Sequence, residues 1–158
     1  MKKLFSLVLI LCLLMPCASA EKLKDFIAAY SEIAPVYSAP TISSASLQNI
    51  NGTRVWKFDS GAMLIVLLDA KMNLSGVAVT GTEDNVGDFL AASVCSIVAM
   101  DEDEDINKIF QRVMEIYLDW RDQKADFSVS YVTQKNKIGV TLQYGSGLYQ
   151  MVIGHTGL

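Results

Sequence analysis

Hydrophobic positions recur along this chain at two spacings, near 3.6 and near 2, and an element ends where one gives way to the other. Between Glu21 and Ala34, the residues Leu23, Phe26, Ile27, Tyr30 and Ile33 share one side of a helical wheel, with Lys22, Lys24, Asp25 and Glu32 elsewhere around it. That spacing predicts an amphipathic helix, closed by Pro35. From residue 35 to 52 the periodicity stops and Ser, Ala, Pro and Asn dominate, so an extended connection is expected there.

Alternation then takes over. Thr53 to Asp59 puts Arg54, Trp56 and Phe58 on one face and turns at Asp59-Ser60-Gly61. Ala62 to Leu68 is apolar at every position, and Leu74 to Thr80 carries Val77 and Val79 on one face. Three strands with short turns between them read as an antiparallel meander. After Asp84-Asn85 the helical spacing returns in Val86, Phe89, Leu90, Val94, Ile97 and Val98, with Ala91, Ala92, Cys95 and Ala99 filling most other positions. A helix apolar nearly all round belongs in the interior.

Beyond the acidic run Asp101 to Asp105, a third helix is predicted, with Ile106, Ile109, Phe110, Val113, Ile116, Tyr117 and Trp120 on one stripe opposite Lys108, Arg112, Glu115 and Asp119. Docking is expected through Ile109, Phe110, Val113, Ile116 and Trp120. A second meander follows at 126–133, 137–144 and 148–153. Its inward faces are Phe127, Val129 and Tyr131, then Ile138, Val140, Leu142 and Tyr144. The order is helix, three strands, two helices, three strands, which is an α+β fold with helices packed on a largely antiparallel sheet.

The first twenty residues follow a different rule. Lys2 and Lys3, the apolar run from Leu4 to Met15 and the small residues Ala18-Ser19-Ala20 before Glu21 are the parts of a secretory signal peptide in their usual order. The run is shorter than a bilayer span requires. Cleavage after Ala20, read through Ala18 and Ala20, is therefore expected, giving a secreted or periplasmic protein; the short leader with two early lysines has a bacterial look. Cys17 raises the alternative of lipidation, but Pro16 stands where a lipobox has a small residue. The remainder, 21–158, suits a single domain.

Charge and cysteine content narrow the function classes. Without Lys2 and Lys3, 11 of the 13 basic residues remain against 17 acidic ones, and they are scattered among the carboxylates. That excludes a nucleic-acid partner, which needs clustered Lys and Arg. Cys12 and Cys17 leave with the leader, so Cys95 remains alone and no intramolecular disulfide forms.

Candidate chemistry is sparse. The acidic run resembles the start of a calcium loop, yet an EF-hand counted from Asp101 would need Gly and Glu where Ile106 and Arg112 stand. Capping of the third helix is the better reading. Cys95 lies in the most apolar helix and His155 near a glycine-rich end, and neither has a partner in sequence to activate it. Trp56 and Trp120 sit on the apolar stripes of their own elements. Hydrolase, phosphate-loop and zinc signatures are missing, so no cofactor or metal is expected.

The strand from Met63 to Leu68 keeps one functional option open. Met63, Ile65 and Leu67 point one way and Leu64, Val66 and Leu68 the other, so both faces must be covered. The first helix is expected on one side and the other two on the opposite side, in a monomer. Alternatively Met63, Ile65 and Leu67, with Trp56, form a binding surface for a partner protein or a small apolar ligand. The sequence thus reads as a small exported binding protein without catalytic activity, the alternative being a secreted hydrolase whose carboxylate pair is assembled by the fold.

Overall fold

Two meanders that each bury one apolar face can share a single core by joining edge to edge, and the chain does this. The computed structural model describes residues 21–50, 53–68, 73–123, 126–133 and 138–155. The leader, with Ala18 and Ala20, lies outside these residues, as do the connections at 69–72 and 134–137. In chain order the strands are β1 (Glu21–Lys22), β2 (Ser46–Ile50), β3 (Thr53–Lys57), β4 (Met63–Leu68), β5 (Asn73–Gly81), β6 (Phe127–Val132), β7 (Ile138–Gly145) and β8 (Leu148–His155). The helices are α1 (Leu23–Ile33), α2 (Val86–Met100) and α3 (Ile106–Gln123). The seven longer strands run β2-β3-β4-β5-β8-β7-β6, every neighbour antiparallel, while the two-residue β1 pairs with the start of β5. The fold class is α+β, as the periodicity predicts.

The connection over 35–52 departs from expectation. A tight turn after α1, with Ser38 at a φ of 54°, is tied down by the Tyr30 hydroxyl, which donates to the Pro40 carbonyl at 2.9 Å. A 3-10 turn at Ile42–Ser44 leads into β2, which pairs with β3 so that Leu47 faces Trp56. β2 is an edge strand exposed along almost its whole length. Its side chains therefore carry almost no burial pattern, and the backbone ladder with β3 chiefly places it, helped by Ile50 against the far face of the sheet.

Because antiparallel partners point to the same face, the register sorts the core. One row crosses the sheet as Trp56, Leu64, Val79, Met151, Leu142 and Val129. Together with Phe26 and Tyr30 of α1, Phe89 and Ile97 of α2, and Ile109 and Val113 of α3, it belongs to the main core. All three helices thus contribute to one face, a correction to the expected split between two sides. On the other face, the row Val55, Ile65, Ala78 and Val152 forms a second, smaller apolar cluster, against which Ile50, Met63 and Leu67 pack. No residue of a described helix belongs to it.

α2 is buried along almost its whole length, including two serines. Their hydroxyls donate back into the helix, Ser93 to the Phe89 carbonyl and Ser96 to the Ala92 carbonyl, each at 2.7 Å, so neither carries an unmet donor inward. α3 docks through Ile109, Val113, Ile116 and Trp120. Phe110, expected among them, is 50% exposed, because it lies roughly a quarter turn from the centre of that stripe. In denaturant titrations, Ile109→Ala should lose about 2 to 5 kcal/mol and Phe110→Ala less than about 1 kcal/mol. Equal losses would mean that α3 faces the sheet differently.

Candidate functional site

The register that aligns the core also lines up aromatic residues at one end of the sheet. Gly81, Tyr149, Tyr144 and Phe127 face one another across β5, β8, β7 and β6. The β7–β8 hairpin turns on Ser146 and Gly147, with φ of 54° and 79°, the two positive values a tight hairpin needs. This turn sets Tyr144 opposite Tyr149, with ring centroids 4.8 Å apart.

Gly81 ends the row without a side chain for a steric reason. A Cβ there would lie 2.6 Å from the Phe89 Cβ and 2.8 Å from the Asn85 Oδ1, so glycine lets α2 begin hard against the sheet. The Phe89 ring then sits 5.5 Å from Tyr149. Asn85 braces the corner: its Oδ1 accepts from the Thr82 amide at 2.7 Å, and its Nδ2 donates to the Ser60 carbonyl at 3.0 Å.

α3 lays its last turns over this row. Trp120 is 4.3 Å from Tyr144, meets Tyr149 edge-on at 5.1 Å and stacks on Phe127 at 5.1 Å. Offset and edge-to-face contacts of this kind add about 0.5 to 1.5 kcal/mol each beyond the area they bury. Tyr117, one turn earlier, approaches Tyr149 at 6.0 Å.

Between these elements lies a cavity of about 440 Å³, within the size range of small-molecule sites. Tyr149 and Trp120 are its most buried members, Tyr117, Tyr144 and Val86 are half-buried, and Glu83 and Arg121 bring an exposed carboxylate and guanidinium. Burial, the neighbouring Tyr117 and Glu83, and a hydrogen bond with Tyr117 raise the Tyr149 hydroxyl well above the ordinary phenol range. It is therefore neutral at any physiological pH. The described residues of the wall offer aromatic side chains, phenol hydroxyls, a carboxylate and a guanidinium, a set that binds and orients. Among the described residues, no group of three or more His, Cys, Asp or Glu side chains is placed to hold a metal ion.

A second hollow, of about 400 Å³, runs between α1 and the end of α2, with Asp25, Glu32 and Glu102 along it. All three carboxylates are exposed.

The residues singled out by sequence are distributed as follows. Ile65 is buried in the second cluster, with Met63 and Leu67 half-buried against it, so these side chains close a small core. Trp56 is on the opposite face, in the main core, because the register pairs it with Leu64 while Val55 meets Ile65. The four residues of the expected binding surface are thus not brought together. Cys95 is fully buried, and burial pushes its thiol up to about 11. His155 is half-buried at the end of β8, which runs two residues past the expected Ile153. Asp105 caps α3, its carboxylate accepting from the Asn107 amide at 2.9 Å.

Glu83, Arg121 and the pairing of Tyr144 with Tyr149 escaped the sequence reading. One signal was present: two tyrosines flanking Gly145-Ser146-Gly147-Leu148 symmetrically must face each other if that turn is tight. Comparison with protein-family models, curated proteins and solved structures finds no match.

The buried thiol sets an alkaline limit. Its folded value lies above the ordinary 9.0, so its contribution to stability is complete below about pH 9 and is lost as pH rises toward about 11. Stability measured by denaturant across that window should fall more steeply in the wild type than in Cys95→Ala. Parallel curves would remove the thiol from the explanation.

Proposed function

We propose that the protein is an exported binding protein that holds a small organic ligand in the aromatic-walled cavity and performs no chemistry on it. The observation that carries this reading is the wall itself: Tyr117, Trp120, Tyr144 and Tyr149, with Glu83 and Arg121 beside them. Large rigid rings give contact area at little entropic cost, and a few charged groups orient what they hold. The hydrolase alternative has less support. A glycosidase sets two carboxyl groups about its scissile bond, and among the described residues lining this cavity Glu83 is the single carboxylate. Export rests on the leader, whose basic start, apolar run and small residues at Ala18 and Ala20 favour release at Glu21.

Trp120 makes the cavity observable. With Trp56→Phe removing the second of the two tryptophans, emission from Trp120 should change saturably on titration with at least one class of small neutral, cationic or zwitterionic compound. Val86→Phe, which fills the cavity from its edge, should abolish the response. A folded protein that responds to none of these classes would overturn the reading. Intact mass of the exported species should correspond to a chain starting at Glu21, whereas a diacylglycerol increment on Cys17 would place the protein on a membrane surface instead.

A further inference from the structure

An open sheet has two edges, and an edge strand carries a row of N–H and C=O groups that point away from its one neighbour. Among the described residues β6 pairs with β7 alone, in unbroken register from Phe127 opposite Tyr144 to Val132 opposite Gly139. The amide of Thr133, the next residue, donates to the Ile138 carbonyl at 2.9 Å. Backbone groups alternate in direction along a strand, so those of Phe127, Val129 and Tyr131 also face β7. Those of Ser128, Ser130 and Val132 face outward.

Exposed edges are commonly blunted by lysine, proline or a bulge. β6 has none of these and no charged residue, although 19% of the chain is charged. Its phenylalanine, tyrosine and two valines favour extended backbone. The side chains of Ser128, Ser130 and Val132 are exposed, while Phe127, Val129 and Tyr131 lie half-buried against the main core. A strand added at β6 therefore gains both a backbone ladder and apolar burial. β2, at the other edge, is exposed on both faces over its first four residues, so a strand added there gains little beyond the ladder.

Self-complementarity identifies the added strand. In an antiparallel pair of β6 strands related by a twofold axis at Val129, each Ser128 stands opposite the partner's Ser130, and these are residues whose backbone groups face outward. The same register sets Phe127 opposite the partner's Tyr131, an aromatic pair of the kind that stabilises neighbouring strands. We propose that the protein pairs with a second copy of itself through β6, the twofold axis passing at Val129 and joining two sheets into one with all helices on the same side. The monomer expected from β4 gives way to a dimer.

One strand pair buries less than a standard interface, so a Kd of about 1 to 100 µM is expected. Sedimentation velocity of the chain starting at Glu21 should show a reversible monomer–dimer equilibrium across that range. Ser128→Lys combined with Ser130→Lys sets lysine opposite lysine at exposed positions. It should weaken the dimer at least about tenfold with the denaturation midpoint unchanged, the cost of like charges facing each other along an edge. Gln48→Lys, on β2, should leave the equilibrium as it is. Under mild oxidation Val129→Cys should give a disulfide-linked dimer, because residues at the axis form the closer, non-hydrogen-bonded pair. Ser130→Cys, displaced from its own copy, should crosslink far more slowly. A monomer at every concentration would overturn the proposal, and so would a dimer weakened by Gln48→Lys rather than by the β6 lysines. Faster crosslinking through Ser130→Cys than through Val129→Cys would overturn the axis at Val129.

Discussion

A fifteen-residue helix with almost no solvent face can exist only if other elements cover it on every side, and the architecture follows from meeting that demand for α2. The sheet lies beneath it, through Val77, Val79, Met151 and Ile153, and α1 and α3 complete the cover on its helix side. Ser93 and Ser96 can be buried within it because each hydroxyl finds a carbonyl one turn back. A chain of this length gains most of its stability from such contiguous burial. The second cluster, on the other face of the sheet, is small by comparison and involves no described helix.

The candidate site is a by-product of how α2 enters that arrangement. Gly81 allows the helix to start in contact with the strand that precedes it, and the Phe89 side chain occupies the room a Cβ would need. This close start leaves Val86 and Glu83 facing the β7–β8 hairpin, whose tight turn holds Tyr144 against Tyr149. α3 then returns over the same corner with Tyr117 and Trp120. The cavity is thus walled by the start of α2, the end of α3 and the β7–β8 hairpin, three segments distant in sequence that converge where α2 meets the sheet. A rigid scaffold that converges element ends on one hollow is the usual way for a small domain to present a ligand site.

Much of this fold was legible in the sequence, for reasons visible in individual segments. The alternation of Phe127, Val129 and Tyr131 gave β6 its inward face, and the nearly unbroken apolar run over residues 86–100 gave α2 its place in the interior. β2 was illegible because an exposed edge strand has no burial to imprint on Ser46 to Ile50. Phe110 misled because hydrophobicity alone cannot say which edge of a broad apolar stripe meets the sheet; the neighbours of α3 decide that, and they meet Ile109.

By itself, then, the sequence determined the three helices, the strands β3 to β8, the α+β class and the interior position of α2, because periodicity and composition are local properties that burial writes into a segment. Only the tertiary structure decided which face received the helices, which residues of β3 and β4 share a side, and where side chains converge. Those outcomes depend on register and on contacts between segments as distant as Glu83 and Tyr149, and no local pattern encodes them. Trp56 makes the distinction plain. Its inward direction was readable from alternation, but its separation from Met63, Ile65 and Leu67 was set by a hydrogen-bond register in which one residue's shift moves a side chain to the other face.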